Sequence, residues 1–226
     1  MKKVSLALAV LALVSCKYDQ NGNKNILPKD DTRNLQTVNP QQVETASAEE
    51  ESIENETTSL DAAGNYIYDV GEIIEISLPD GTNLEIGSNS TENQLFEMLN
   101  NADFNVSENK TDGWVTLDRV YFNTGSDQLT DASNTQLSNI EKILKAFPTT
   151  EVKFGGYTDN TGSQEINQPL SEGRAKSVMN TIINAGIDSN RMSAEGYGSE
   201  HPVCVENDSE VCKAQNRRVD IRITKK

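Results

Sequence analysis

The 226-residue sequence predicts an α+β protein whose C-terminal part is one mixed sheet with helices on one face. Three observations carry this: short segments of period-two alternation, two longer stretches with apolar residues at helical spacing, and their order along the chain, β-α-β-α-β-β. Residues 114–122 alternate as the first strand. Residues 131–147 place Leu137, Ile140, Ile143, Leu144 and Phe147 on one helical stripe, and Pro148 ends that helix. Residues 151–157 form the second strand. Pro169 and Ser171 start the second helix, residues 171–185, with Ala175, Val178, Met179, Ile182 and Ile183 inward and Gly186 stopping it. Residues 192–198 and 218–223 read as the last two strands.

Upstream lies a small β-β-α module. Residues 65–79 alternate, with Tyr66, Tyr68 and Val70 on one face, and the run continues through Ile73, Ile74 and Ile76 to Leu78. Pro79-Asp80-Gly81 turns the chain and residues 82–86 pair back, since Asp-Gly between alternating apolar runs is a strong hairpin signal. Ser90-Thr91-Glu92-Asn93 offers capping groups for a helix carrying Leu95, Phe96, Met98 and Leu99. The piece is too small to be stable alone and is expected to pack on the next domain or on another copy.

Charge separates the chain into regions of different physics. The formal net charge is −15, from 35 acidic and 20 basic residues. Residues 17–108 hold 4 Lys/Arg against 19 Asp/Glu, whereas residues 109–226 are nearly balanced at 14 against 16. This acidity argues against a nucleic-acid-binding surface. Residues 16–60 are rich in Asn, Gln, Asp, Glu, Ser and Thr and poor in large apolar groups, so they read as a disordered acidic linker. About 44 residues of such chain reach roughly 35–40 Å on average. The alternative is that Glu49-Glu50-Glu51 binds cations.

The first fifteen residues begin Met1-Lys2-Lys3 and continue as an apolar run of about eleven residues, too short for the ~20 a spanning helix needs but suited to a secretory signal peptide. The run ends Leu13-Val14-Ser15-Cys16, which resembles the bacterial lipobox. That resemblance implies removal of residues 1–15 and acylation of Cys16, against the plainer reading of a simple signal peptide with a chance cysteine. Two or three acyl chains anchor stably where one does not, and the residues after Cys16 point to the outer membrane.

No catalytic set emerges. His201 is the one histidine, no G-x-S-x-G elbow accompanies it, and Gly196-Tyr197-Gly198 lacks the third glycine and helix start of a dinucleotide loop. Cys204 and Cys212 sit in one loop of an exported chain, which favours a disulfide. A metal site on Cys204, Cys212 and His201 is the weaker alternative, because the ligands are few and no CxxC is present. Nothing calls for a cofactor.

Gly156-Tyr157-Thr158-Asp159-Asn160-Thr161-Gly162, then residues 167–178 (NQPLSEGRAKSV), Gly186-Ile187, Gly196-Tyr197-Gly198, Pro202 and Asn216-Arg217-Arg218-Val219 resemble, in order and spacing, the OmpA-like C-terminal domain. That family also includes peptidoglycan-associated lipoprotein and the flagellar stator protein MotB. The resemblance covers about residues 112–226 and implies an OmpA-like sandwich that binds peptidoglycan without being an enzyme. The expected organisation is therefore a signal peptide at 1–15, a lipid-anchored linker at 16–60, the small module at 61–108 and the binding domain at 109–226.

By the family's motif, the diamino acid of the wall's peptide stem, of the diaminopimelate type, is held by Asp159 and Arg174. The chemistry agrees. A diaminopimelate side chain ends in an ammonium beside a carboxylate, so its binder needs an acceptor near a bidentate donor. Asp159 lies in a Gly-bounded loop after a strand. Arg174 is expected in the first turn of the second helix, where backbone N–H groups are also free for an anion. Thr158, Asn123 and Asn167 are further candidate contacts, Asn167 being open between ligand contact and loop hydrogen bonding. At least one of Arg217 and Arg218 is expected in a structural ion pair. The implied function ties outer membrane to wall; the alternative is an envelope adaptor whose 61–108 module docks a membrane protein.

Overall fold

A computed structural model of the chain describes residues 59–226. The expected signal peptide, the acylated Cys16 and the linker up to residue 58 lie outside the described residues.

The small module opens with a hairpin, β1 (Ile73–Ser77) and β2 (Asn83–Gly87), paired antiparallel with Ile76 opposite Leu84. Its turn closes as the sequence dictates: Gly81 takes φ +89° and Asp80 accepts the Thr82 N–H at 2.9 Å. Ile76, Leu84 and Ile86 face inward while Glu75 and Glu85 face out. The strand does not reach back to Tyr66 as the alternation suggested. Gly71 at φ +71° donates to the Asp69 carboxylate and bends the chain, so Tyr66 makes only an isolated bridge to Leu60. Helix α1 (Thr91–Asn100) follows, capped by Ser90 and burying Leu95 and Leu99.

The second sheet contains β3 (Trp114–Thr116), β4 (Glu151–Gly156), β5 (Met192–Gly196) and β6 (Val219–Lys225) in the order β3-β6-β4-β5. It is mixed: β4 and β5 are parallel, and β6 runs antiparallel to β3 and β4. Helix α2 (Asn134–Ala146) precedes β4, and α3 (Gln164–Asn184) makes the crossover to β5. Val152, Phe154, Val219 and Ile221 on the sheet meet Ile140, Ile143, Ala175, Val178 and Ile182 on the helices in one core. The crossover helix lies close on the sheet. A Cβ on Gly156 would run into the Ser171 carbonyl, and one on Gly196 into the Glu172 backbone.

Three sequence expectations are corrected. The first strand ends at Thr116, because the chain turns there to let Asp118 accept the Thr91 N–H at 2.8 Å and Arg119 reach Glu92. The helix expected over 171–185 starts at Gln164, with Pro169 inside it. Asn167 makes this start possible by donating to the Asp159 and Gly162 carbonyls, which stitches the preceding loop to the new helix. A short helix, α4 (Glu210–Asn216), stands between the last two strands, capped by Ser209.

The small module packs on this chain rather than offering its apolar face elsewhere. Leu95 and Leu99 join the same continuous core as Leu137 and Ile140. No described helix is long and apolar enough to cross a membrane.

Candidate functional site

A cleft of about 670 Å³ opens where the loop after β4, the start of α3, the loop after β3 and the end of α4 converge. All five predicted contact residues, Asn123, Thr158, Asp159, Asn167 and Arg174, line it. Asp159 follows β4 directly, where Thr158 N–H donates to the Gly198 carbonyl and holds the loop to the segment after β5. Its Oδ1 accepts the Thr161 N–H at 2.9 Å and its Oδ2 accepts Arg217 Nη1 at 2.9 Å. Burial pushes the Asp159 carboxyl up, but the Arg217 and Thr161 hydrogen bonds outweigh it and hold the group below its ordinary value of 3.8.

Arg174 is not in a first helical turn. It sits eleven residues into α3, so free backbone N–H groups of a helix start play no part beside it. Its side chain is buried, with 5% of the residue exposed. Nε donates to the Ser126 carbonyl at 3.0 Å, and the guanidinium lies 5.2 Å from the Phe122 ring centroid. Among the described ion pairs none contains Arg174; the partner of Asp159 is Arg217. Burial first, and the Arg217 charge second, pull the Arg174 pKa down from its ordinary value. Of the cations that line the cleft, Arg217, Arg218 and Lys213 each have a carboxylate partner, whereas Arg174 belongs to no described ion pair, so the lining carries an unbalanced positive charge. A further anion would relieve that imbalance.

Thr158 Oγ1 is buried with no hydrogen-bond partner, an unmet polar group on the cleft wall. The Asn167 amide donates to the loop carbonyls, which favours the loop role at that position. Asn123 is at the rim and donates to Gln128 Oε1 at 3.0 Å. Both terminal arginines are paired: Arg218 Nε reaches both Asp220 oxygens at 3.1 Å and its guanidinium stacks 3.9 Å from the Tyr157 ring centroid. Sequence reasoning missed Arg217 as the partner of Asp159; its position in Asn216-Arg217-Arg218 marks it as notable but does not say what it faces. It also missed Asn65, Tyr66 and Tyr68, which line the cleft from far upstream of the motif that begins at Gly156.

Cys204 and Cys212 form a disulfide, which removes both sulfurs from the alternative metal reading. The bond braces the wall of the cleft. Asn216 Oδ1 accepts from the Val203 and Cys204 N–H groups at 2.9 and 3.1 Å, and its amide donates to Cys204 O and to Asn207 Oδ1. Asn207 in turn donates to Asn160, beside Asp159. Closing a loop of this length contributes about 2–3 kcal/mol. Cys204→Ser/Cys212→Ser is therefore expected to lower Tm by roughly 5–10 °C in thermal denaturation; an unchanged Tm would show that Asn216 holds the loop unaided.

Residues 121–217 match the OmpA family model. The probable lipoprotein YiaD of Escherichia coli (strain K12) is 38% identical over 105 residues, which cover 46% of this chain and 48% of that protein. Peptidoglycan-binding protein ArfA of Mycobacterium bovis is 37% identical over 107 residues, covering 47% of this chain and 32% of that one. Among solved structures, the peptidoglycan-associated lipoprotein from Burkholderia pseudomallei is 31% identical, covering 46% of this chain and 88% of that one, with a TM-score of 0.44. The chain spans about half or less of the length of the curated relatives it matches.

Proposed function

This chain belongs to the OmpA family through residues 121–217, and from that premise we propose that it binds peptidoglycan noncovalently and tethers the outer membrane to the cell wall. The observation that carries the reading is the buried, unpaired Arg174 guanidinium sharing a cleft with the ionised Asp159. The wall's stem peptide presents the complementary pair. Its diaminopimelate ammonium goes to Asp159, its carboxylate to the fork of Arg174, and the orphaned Thr158 hydroxyl completes the contact. Arg217 keeps Asp159 ionised and aimed. Acylated Cys16 supplies the membrane end, with the acidic linker between. The adaptor alternative is less well supported, because Ile76, Leu78, Leu84, Ile86, Leu95 and Leu99 of the module are buried in the chain's own core, although Ile67 and Ile73 stay exposed.

The direct test is co-sedimentation of the chain with purified diaminopimelate-type peptidoglycan, in competition with free meso-diaminopimelate or Nα-acetyllysine. Diaminopimelate is expected to displace the protein and Nα-acetyllysine, whose free ammonium has no carboxylate beside it, is not. Protein that stays in solution without competitor would overturn the reading.

The pH dependence follows from Asp159. A carboxyl held below its ordinary value stays ionised well into acid, and the stabilisation it brings is full above the unfolded-state value and lost as pH falls through the folded one. Sedimentation is expected to be level from pH 8 to pH 5 and to fall only below about 4. A loss already at pH 5.5, with circular dichroism unchanged, would mean that another group controls binding.

A further inference from the structure

Resting on the wall-binding reading, we propose that residues 60–68 form a second subsite of the same cleft, one that holds the peptide adjoining the diamino acid. This segment lies outside the residues that match the family, yet Asn65, Tyr66 and Tyr68 line the cleft with Asp159 and Arg174. Its shape is built by specific bonds. Asp61 Oδ1 accepts the Ala63 and Asn65 N–H groups at 2.8 and 2.9 Å, and its Oδ2 accepts the Asn65 amide at 2.9 Å. Gly64 at φ +78° lets that turn close, and the Ile67 N–H donates to the Ser59 carbonyl at 2.9 Å.

The turn brings the Gly64 carbonyl to 3.4 Å from Arg217 Nη2, on the same guanidinium that holds Asp159. One cation therefore places both the segment and the ligand-facing carboxylate. Tyr66 and Tyr68 meet edge to face at 4.7 Å, which stiffens the inner face of the segment.

Two features point to a peptide subsite. The cleft, at about 670 Å³, is in the range that holds a drug-sized ligand, on the order of 300–1,000 Å³, and exceeds the need of a single amino-acid end group. The lining added by Asn65, Tyr66 and Tyr68 is aromatic, phenolic and amide, without charge, which suits neutral peptide groups better than a further ion. The segment adds a wall and does not plug the site. With it in place Thr158 Oγ1 still lacks a partner, and Arg174 still belongs to no ion pair among the described residues.

The test is calorimetric titration of the full chain with two probes, free meso-diaminopimelate and the soluble stem tripeptide L-Ala-D-isoglutamyl-meso-diaminopimelate. Tyr66→Ala removes a lining side chain, and Asp61→Ala releases the turn without changing one. Both are expected to weaken the tripeptide about tenfold, as loss of one good contact does, and to leave diaminopimelate within about twofold. Tyr66→Phe is expected to restore most of the tripeptide affinity. Equal weakening of both probes would place the effect on Asp159 through Arg217 and overturn the subsite. So would no change, or tighter binding, which would make the segment a plug. If wild type binds diaminopimelate and Arg174→Ala does not, the wall-binding reading survives whatever the segment variants do. If wild type binds neither probe, both readings fall.

Discussion

Arg174→Ala is expected to reduce peptidoglycan binding by about a hundredfold or more, while Tm moves by only a few degrees. Truncating one member of a buried, hydrogen-bonded charge contact costs about 2–5 kcal/mol of binding, and Arg174 is the one cleft cation without a carboxylate of its own among the described residues. Stability responds differently for the same reason. The side chain gives the fold one hydrogen bond to Ser126 and a ring contact with Phe122, while burial beside Arg217 opposes its charge. Arg174→Lys keeps the charge but loses the planar fork, so a loss of roughly tenfold is expected. Co-sedimentation and soluble-ligand titration read both variants. Retention of wild-type affinity in the alanine variant would remove Arg174 from the site. Asp159→Ala also abolishes binding on this reading but is the less clean probe, because it releases Arg217 and the Thr161 turn together.

Glu92→Ala is expected to be the most destabilising single change outside the apolar core, by about 3–5 kcal/mol, or roughly 10–15 °C in Tm. Glu92 is fully buried and accepts from Arg119 Nη2 at 2.6 and 2.7 Å, from Gln136 at 3.0 Å and from Asn139 at 3.2 Å. Asp118 completes the network by accepting from Arg119 and from Gln136. Removal of Glu92 leaves the buried Gln136 amide short of an acceptor and Arg119 with one carboxylate. This network joins the small module to the family domain, so fragments cut between residues 108 and 109 lose it. Thermal denaturation decides the point, and a drop below about 2 °C would show that the apolar contacts of Leu95 and Leu99 suffice.

Much of this molecule was legible locally. Pro79-Asp80-Gly81 names its own turn, Ser90 its own cap, and the stripe from Leu137 to Leu144 its own helix, because each depends on residues within one or two turns of chain. The motif around Asp159 and Arg174 likewise placed both side chains, and three more, in one cleft. Local rules also misled where a distant partner intervened. Pro169 reads as a helix start, since proline is tolerated in a first turn, but Asn167 ties the upstream loop to the helix and moves the start to Gln164. Residues 117–122 alternate like a strand, but the demands of Glu92 and Thr91, about 27 positions away, bend them out of the sheet.

Short-range periodicity, turn chemistry and ordered motifs were enough for the α+β class, the hairpin, the helix at 134–146, the pairing of the two loop cysteines and five of the residues that meet in the cleft. Three-dimensional packing sets the rest: Asp159 pairs with Arg217, 58 residues away, Arg174 is the cleft cation that belongs to no described ion pair, and residues 60–68 return to wall the site. Such choices depend on which side chains lie opposite one another across the sheet order β3-β6-β4-β5, and spacing along the chain does not encode that order.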